Sequence, residues 1–307
     1  MSVRVRIATT SAELDALLRL RHRVYVDEEG YFQQQRDGRI VDRFDAYPTT
    51  AHITAVVDGR MVGTVRVAEQ SQVGNSTDDF FDFRQYLPPQ VTKVCTGGML
   101  CVERAYRSTP RLVFALVGMA YFWGLSRGMT HLVAAINPDV EAFFAKAGAT
   151  RLAPPVRQNE LGLDAVPMMI EFDRLPGGYP AFLKHQAIVH FLDSFEREFV
   201  EPGETIIRQG ERGHAIYVIL DGRVAVERQR SRGVIRVIDL GRGELFGELG
   251  LLTQRPVTAD AVALTAADLM VVERDAFETQ LRDDPNVASG ILAVLADRLA
   301  ARTESLD

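Results

Sequence analysis

Twelve residues constrain this chain more than any other stretch: Gly241-Arg242-Gly243-Glu244-Leu245-Phe246-Gly247-Glu248-Leu249-Gly250-Leu251-Leu252. They follow an alternating apolar run, Ile216-Tyr217-Val218-Ile219-Leu220, that ends in a tight Asp221-Gly222 turn. Glycines at 243 and 247 let the loop close onto the start of a short helix. Free amide N–H groups at such a start attract an anion, and the helix dipole adds to the attraction. The Glu248 carboxylate beside the loop can accept hydrogen bonds from a sugar hydroxyl. Phosphate and ribose together point to a nucleotide, with Gly247, Glu248 and Leu249 as its candidate ligands.

The segment resembles the phosphate-binding cassette of cyclic nucleotide-binding domains. The resemblance extends over residues 188–307, through Phe199 to Ile207, Gln209-Gly210-Glu211 and Ile216 to Gly222. It implies an eight-stranded all-β jelly roll with flanking helices and a cyclic AMP or cyclic GMP effector. That family ends its cassette in an arginine, a small residue and alanine. Here Arg255-Pro256-Val257-Thr258-Ala259-Asp260 puts Val257 at the arginine position. Arg255, two residues earlier, would share a face with Val257 in an extended segment, so Arg255 and Thr258 join the candidate set. A module without a nucleotide, used for dimerisation or another ligand, stands as the alternative.

Length and composition fit two ordinary globular domains: 307 residues, 47% hydrophobic and 25% charged. A net charge of -6 argues against a nucleic-acid partner. No N-terminal leader and no apolar run of about 18 residues is present, so no membrane span and a cytoplasmic location are expected. The two cysteines, Cys95 and Cys101, are too few for a metal site and read as buried free thiols. After the jelly roll an amphipathic helix is expected over 286–302, where Ile291, Leu292, Leu295 and Leu299 share a stripe. It lacks the helix-turn-helix of catabolite-activator-type regulators. Its stripe packs on its own domain or pairs with a second copy in a homodimer.

Residues 1–175 read as alternating helices and strands. Thr10-Ser11-Ala12-Glu13 has capping-box spacing and opens a helix running into Arg21-His22-Arg23-Val24-Tyr25-Val26. Strands Ala51–Val57 and Met61–Ala68 flank an Asp58-Gly59 turn. Val91–Val102 is a strand in which Gly97-Gly98 marks a bulge or a close backbone approach. Pro110 starts a helix that ends near Gly128. His131–Ile136 is a strand, Asn137-Pro138 caps a helix that stops at Gly148, and Ala165–Phe172 closes the domain. Residues 176–187 form a linker and the start of a helix, Ala181–Phe195, that joins the two modules.

This order resembles the GNAT acyltransferase superfamily, an α/β fold. The carrying motifs are the strand, arginine-containing loop and helix from Leu100 to Gly128, and Ile136-Asn137-Pro138 followed by Phe143-Phe144. Within that superfamily, Arg21-His22-Arg23-Val24-Tyr25, Tyr31-Phe32, Asp42-Arg43-Phe44-Asp45 and Gly63-Thr64-Val65-Arg66 resemble acyl-homoserine-lactone and N-acyl amino acid synthases. The resemblance implies transfer of a fatty acyl group from acyl carrier protein or coenzyme A to a small, amino acid-like amine. Asp42, Asp45 and Arg66 would bind the amine and accept its proton. Backbone N–H groups near Gly97 and Gly98 would hold the oxyanion. Arg104, Arg107, Ser108, Thr109, Arg111 and Asn137 would hold the phosphopantetheine donor.

Two departures shape that expectation. The loop Arg107-Ser108-Thr109-Pro110-Arg111 lacks the glycines with which coenzyme A-dependent relatives wrap a pyrophosphate, which fits the single phosphodiester of a carrier protein better. Thr96-Gly97-Gly98-Met99 stands where the synthases carry Glu-x-x-Arg. A non-catalytic sensor and a nucleotide-controlled protein lysine acetyltransferase remain open beside the synthase reading. His131 reads as structural and Trp123 as core, while Met99 and Leu100 fit either core or an acyl pocket.

Overall fold

A computed structural model describes residues 3–70, 74–78, 80–158, 162–174, 195–231, 233–253 and 255–283, together with Ser289, Ala293 and Ala296. The linker, all but Phe195 of the helix expected over 181–195, and most of the helix expected over 286–302 lie outside the described residues. The chain divides into two compact units, residues 3–180 and 181–307.

The first unit begins with strand β1 (Val3–Ile7) and helix α1 (Ser11–His22). Thr10 and Glu13 close the capping box from both sides, with the Glu13 amide donating to Thr10 Oγ1 (3.2 Å) and the Thr10 amide to Glu13 Oε2 (3.0 Å). The chain then widens into a π-helical turn, Arg23–Glu28. Strands β2 (Thr50–Val57) and β3 (Arg60–Glu69) form the expected hairpin, and both Asp58 (φ 48°) and Gly59 (φ 81°) take the left-handed conformation that a two-residue turn requires. Strand β4 (Val94–Val102) precedes helix α2 (Pro110–Ser126), strand β5 (His131–Ile136) and helix α3 (Glu141–Lys146). Short strands β6 (Thr150–Arg151) and β7 (Val156–Gln158) lead into β8 (Leu163–Glu171). β1, β6 and β7 are too short or too mixed in pattern to read from the sequence.

The strand order is β1-β2-β3-β4-β5-β8-β6, with β7 paired to β8. All neighbours are antiparallel except β4 and β5, which run parallel. That one parallel pair matters most, because its register stops at Gly97↔Ala134. Both strands continue beyond that point without pairing, so they diverge and open the sheet between them. The bulge lies one step beyond the glycines named in the sequence. Gly97 and Gly98 sit in regular register with Val67 and Arg66, and the ladder with β3 shifts where Met99 and Leu100 together oppose Val65. Met99 carries the strain, at φ 51°. A Cβ at Gly97 would stand 3.4 Å from Leu132 Cδ2, an ordinary contact, so packing there does not require glycine.

Helix α2 is apolar around most of its circumference and is largely buried; Leu116, Met119, Phe122 and Trp123 are core residues. Gly124 lets it approach the sheet, for a Cβ there would meet the Phe172 ring at 2.8 Å and Cys95 Sγ at 3.2 Å. Cys95 and Cys101 are both buried free thiols, and burial pushes each pKa up to about 12.

The second unit is a two-sheet sandwich. One sheet holds β14 (Leu245–Phe246), β11 (Ala215–Asp221), β16 (Ala267–Glu273) and β9 (Glu196–Val200) in that order. The other holds β10 (Thr205–Ile207), β15 (Asp260–Ala263), β12 (Val224–Arg230) and β13 (Gly233–Leu240). All described pairs within it are antiparallel, and Ile207, Tyr217, Ile219, Val224, Phe246 and Leu269 fill its core. Helices α4 (Glu248–Thr253) and α5 (Arg274–Asp283) follow β14 and β16. The jelly-roll expectation matches this architecture.

Replacing Gly124 with alanine tests the helix contact. Overpacking costs about 1–3 kcal/mol, and the better helix propensity of alanine returns about 1 kcal/mol. Urea denaturation of G124A should therefore show a net loss of up to about 2 kcal/mol.

Candidate acyl-transfer site

Four charged side chains meet beside the opening between β4 and β5. Arg21, fully buried on the last turn of α1, donates from Nη1 to Asp45 Oδ1 at 2.8 Å. Arg66, on β3, donates from Nη1 to the same oxygen at 2.9 Å and also bonds Asp42. The loop between them is held by its own carboxylates: the Asp42 amide donates to Asp45 Oδ2 (2.9 Å) and the Phe44 amide to Asp42 Oδ1 (2.8 Å). Two guanidiniums and two carboxylates cancel in charge, which is what permits their burial. Burial alone would raise the Asp45 pKa, but Arg21 and Arg66 outweigh it and hold the carboxyl below its ordinary range.

His52 completes the cluster, and sequence reasoning missed it. Arginine only donates, so Arg21 Nη2 at 3.2 Å makes His52 Nδ1 the acceptor. Nε2 then carries the proton and donates to the Asp45 carbonyl at 3.0 Å. The ring is neutral, in keeping with a pKa lowered by burial and by the neighbouring guanidiniums. Its signal in the sequence was present but weak: a histidine at an inward position of an apolar strand.

The geometry separates the roles of the two aspartates. Asp45 is 8% exposed and spends both oxygens inside the cluster. Asp42 keeps a side-chain exposure of 29% and borders a cleft of about 1260 Å³. Arg66, Gly97, Gly98, Arg107 and Asn137 border the same cleft. Its walls are otherwise largely apolar, with Val113, Val117, Leu132, Ile136, Phe143 and Met168 among them. Met99 and Leu100 line it too, at the point where β4 leaves the ladder. Tyr25 fixes that bulge, donating its hydroxyl to the Leu100 carbonyl at 2.9 Å. Burial holds the Tyr25 phenol pKa well above its ordinary value, so it stays a donor.

The arginines expected to face a donor phosphate are already occupied. Arg107 Nη2 bonds Glu28 Oε2 at 2.7 Å, Nη1 bonds Glu29 Oε1 at 2.5 Å, and Nε reaches the Val102 carbonyl at 2.9 Å. Arg104 bonds Glu28 through its amide (3.0 Å) and its guanidinium. The wide turn Arg23–Glu28 is what brings those two glutamates across, and no sequence pattern announced it. Ser108 and Arg111 are exposed. Asn137 caps the turn after β5, accepting from the Asp139 amide (2.9 Å) and donating to Tyr31 Oη (3.3 Å).

In the second unit Gly247 takes φ 86° just before α4, and a Cβ there would stand 2.8 Å from the Ala215 carbonyl. Glu248 is buried and Leu249 exposed. Val257 is locked in place: its amide donates to the Glu211 carbonyl (2.9 Å) and its carbonyl accepts from the Gly210 amide (2.8 Å). Its side chain packs onto the sandwich core and against Gly250. Arg255 is exposed, so it does not share the packed face of Val257, and Pro256 between them bridges to Arg212 instead. Thr258 is exposed and its carbonyl accepts from Arg228 Nε at 3.1 Å.

Asp45→Asn leaves a buried guanidinium uncompensated and should cost about 3–5 kcal/mol. Because the folded pKa of Asp45 is depressed, its stabilisation is complete above the ordinary carboxylate value of about 4 and fades as pH falls below it. Urea midpoints between pH 7 and pH 3 should fall less steeply in D45N than in the wild-type protein.

Comparison with known proteins agrees with both halves. Residues 16–171, half of the chain, match the family of the N-acyl amino acid synthase FeeM, and residues 197–284 match the cyclic nucleotide-binding domain. The solved structure of FeeM from uncultured soil microbes aligns over 57% of this chain and 92% of its own, at 16% identity and a TM-score of 0.48. The cyclic AMP receptor protein of Thermus thermophilus is 36% identical over 117 residues, covering 38% of this chain and 54% of that protein. A CRP-like cAMP-activated global transcriptional regulator of Mycobacterium tuberculosis is 30% identical over 105 residues, covering 34% of this chain and 47% of that protein. The chain thus spans about half the length of the curated relatives it matches. The chain belongs to the family of the N-acyl amino acid synthase FeeM, and it carries a cyclic nucleotide-binding domain after the part that matches that family.

Proposed function

We propose that this protein transfers a fatty acyl group from the phosphopantetheine thioester of an acyl carrier protein to the amine of a small amino acid, under the control of its C-terminal module. One observation carries the reading: a single large cleft has Asp42 and Arg66 beside the interrupted strand β4 and apolar side chains along the rest of its walls. Its volume of about 1260 Å³ exceeds the roughly 300–1,000 Å³ of ordinary small-molecule pockets. That suits a long chain and a carrier arm held together.

In this reading Asp42 holds the acceptor ammonium and takes its proton, directly or through water. The free amine attacks the thioester carbonyl carbon, forming the C–N bond as electrons move onto oxygen. N–H groups at the Met99–Leu100 bulge stabilise that oxyanion. Collapse breaks the C–S bond, and the amine's second proton ends on the departing thiol while the first passes to solvent. Asp45, fully engaged, positions Arg66 and the Asp42 loop and takes no proton.

The donor loop supports carrier protein over coenzyme A. The amides of Tyr106, Arg107, Thr109 and Leu112 already donate within the loop or the first turn of the helix, and Pro110 has none, so few remain to wrap a pyrophosphate. The acyl donor would reach Arg107 and Arg104 by displacing Glu28 and Glu29. Assayed side by side, acylated carrier protein should be used with a kcat/KM about tenfold above that of the acyl-coenzyme A, the worth of one charge-assisted contact. Asp42→Asn should lower kcat/KM by about 10²-fold or more, the usual contribution of a general base. Absence of transfer from either donor to a panel of amines would defeat the proposal.

For the C-terminal half, Val257 favours a second reading, an interaction module without cyclic nucleotide, since a packed valine supplies neither charge nor donor to a phosphate. Calorimetric titration with cyclic AMP and cyclic GMP decides between the two. Saturable heat in the wild-type protein that Glu248→Ala removes supports the nucleotide effector; flat isotherms support the interaction module.

A further inference from the structure

The loop of residues 74–78 crosses the cleft wall beside Arg66, and three of its polar side chains have unmet hydrogen-bonding capacity. Thr77 is 4% exposed, Asn75 is 6% exposed, and Thr77 Oγ1, Asn75 Oδ1 and Asp78 Oδ1 have no hydrogen-bond partner among the described residues. A hydroxyl buried without a partner costs folding free energy, and a chain that keeps one calls for a partner from outside the protein or a functional reason. The backbone that presents it is firmly set. The Asp78 amide donates to the Asn75 carbonyl (3.1 Å), the Asn75 amide to Asp78 Oδ2 (2.8 Å), and the Phe80 and Phe81 amides to the Thr77 carbonyl (3.0 and 2.8 Å).

Ser76 and Thr77 both line the cleft, as do Arg66 and Asp42. The hydrogen bonds of Arg66 to Asp42 and Asp45 leave through Nη1. Its Nη2 is turned to Gly98, where a Cβ would stand 4.0 Å from that nitrogen and 3.7 Å from Ser76 Oγ. A guanidinium nitrogen can only donate, so a ligand atom placed there must accept. Asp42, adjoining on the same wall, can only accept when ionised, so the ligand atom opposite it must donate. Donor-only and acceptor-only groups side by side match the two charges of a zwitterion. Asp78 accepts from the Asn75 amide through Oδ2, its Oδ1 is buried without a partner, and the residue lies outside the cleft lining.

We infer that Thr77 is a specificity-determining residue for the acceptor: its hydroxyl, with Arg66 Nη2 and Ser76 Oγ, holds the α-carboxylate of the amino acid whose amine faces Asp42. This rests on the acyltransferase reading above and adds to it the group that separates an amino acid from a plain amine. The carboxylate would satisfy the orphan hydroxyl, and decarboxylated acceptors would leave it unmet.

Thr77→Val removes only the hydroxyl and keeps the shape; because that hydroxyl has no protein partner, the variant should melt at or above the wild-type temperature. With acylated carrier protein saturating, T77V should raise KM for amino acid acceptors about tenfold, the usual loss when a hydrogen bond to a substrate group is deleted, with kcat unchanged. It should not alter the use of the matching decarboxylated amines, and Thr77→Ser should restore wild-type behaviour. Equal KM values in T77V and wild type, or an equal penalty on acids and amines, overturn the inference. If the wild-type protein acylates no acceptor, that failure belongs to the acyltransferase reading. The subsite is then tested by calorimetric titration of the same amino acids. Binding lost in T77V and kept in T77S supports it; flat or indistinguishable isotherms overturn it.

Discussion

The buried bond between Arg21 and Asp45 is the constraint on which the N-terminal unit depends. A guanidinium with no exposure to water can exist only where a carboxylate meets it. Asp45 answers Arg21 and Arg66 together, and in doing so ties α1, β3 and the loop of residues 42–45 to one point. His52 is held in a single tautomer by the same pair. The cluster therefore sets the aim of Arg66 and the exposure of Asp42 before any substrate arrives. Such preorganisation is what a site needs when charge must be met as it develops.

A second constraint is the parallel pairing of β4 and β5, which stops after four residue pairs. Parallel strands need a crossover, and α2 supplies it. The helix begins at Pro110, just after the arginine-containing loop, so that loop and the cleft are products of one connection. The bulge at Met99 and Leu100 falls on the diverging part of β4. Fold and site are thus the same event: the sheet opens where its backbone is irregular, and the polar cluster lies on the neighbouring strand.

Much of this was legible in the sequence because local chemistry and global fold agree. The Thr10–Glu13 box, the Asp58-Gly59 turn and the period of β2, β3, β5 and β8 each require only nearby residues. Asp42, Asp45 and Arg66 were found through their order in a motif, but their division of labour was not, since it depends on which carboxylate the fold buries. Gly97-Gly98 was read as a bulge or a close approach because glycine is the ordinary mark of either; here the ladder shifts at Met99 and Leu100, and the methionine takes the left-handed conformation. Glu28 and Glu29 escaped notice as partners of Arg104 and Arg107 because more than 70 residues separate them. Thr77 was invisible for the opposite reason: its distinction is a bond it does not make.

Cys101 also borders the cleft proposed to hold an acyl thioester. A thiolate there would compete with the amine, capturing the acyl chain in a thioester exchange and poisoning the enzyme with its own substrate. Burial forestalls this. With a pKa pushed up to about 12, the Cys101 thiol stays protonated at neutral pH, and the thiolate is the reactive form. The same desolvation that packs the cleft wall thus acts as chemical insulation. It lets a cysteine border a compartment proposed to hold activated acyl groups without becoming an acceptor.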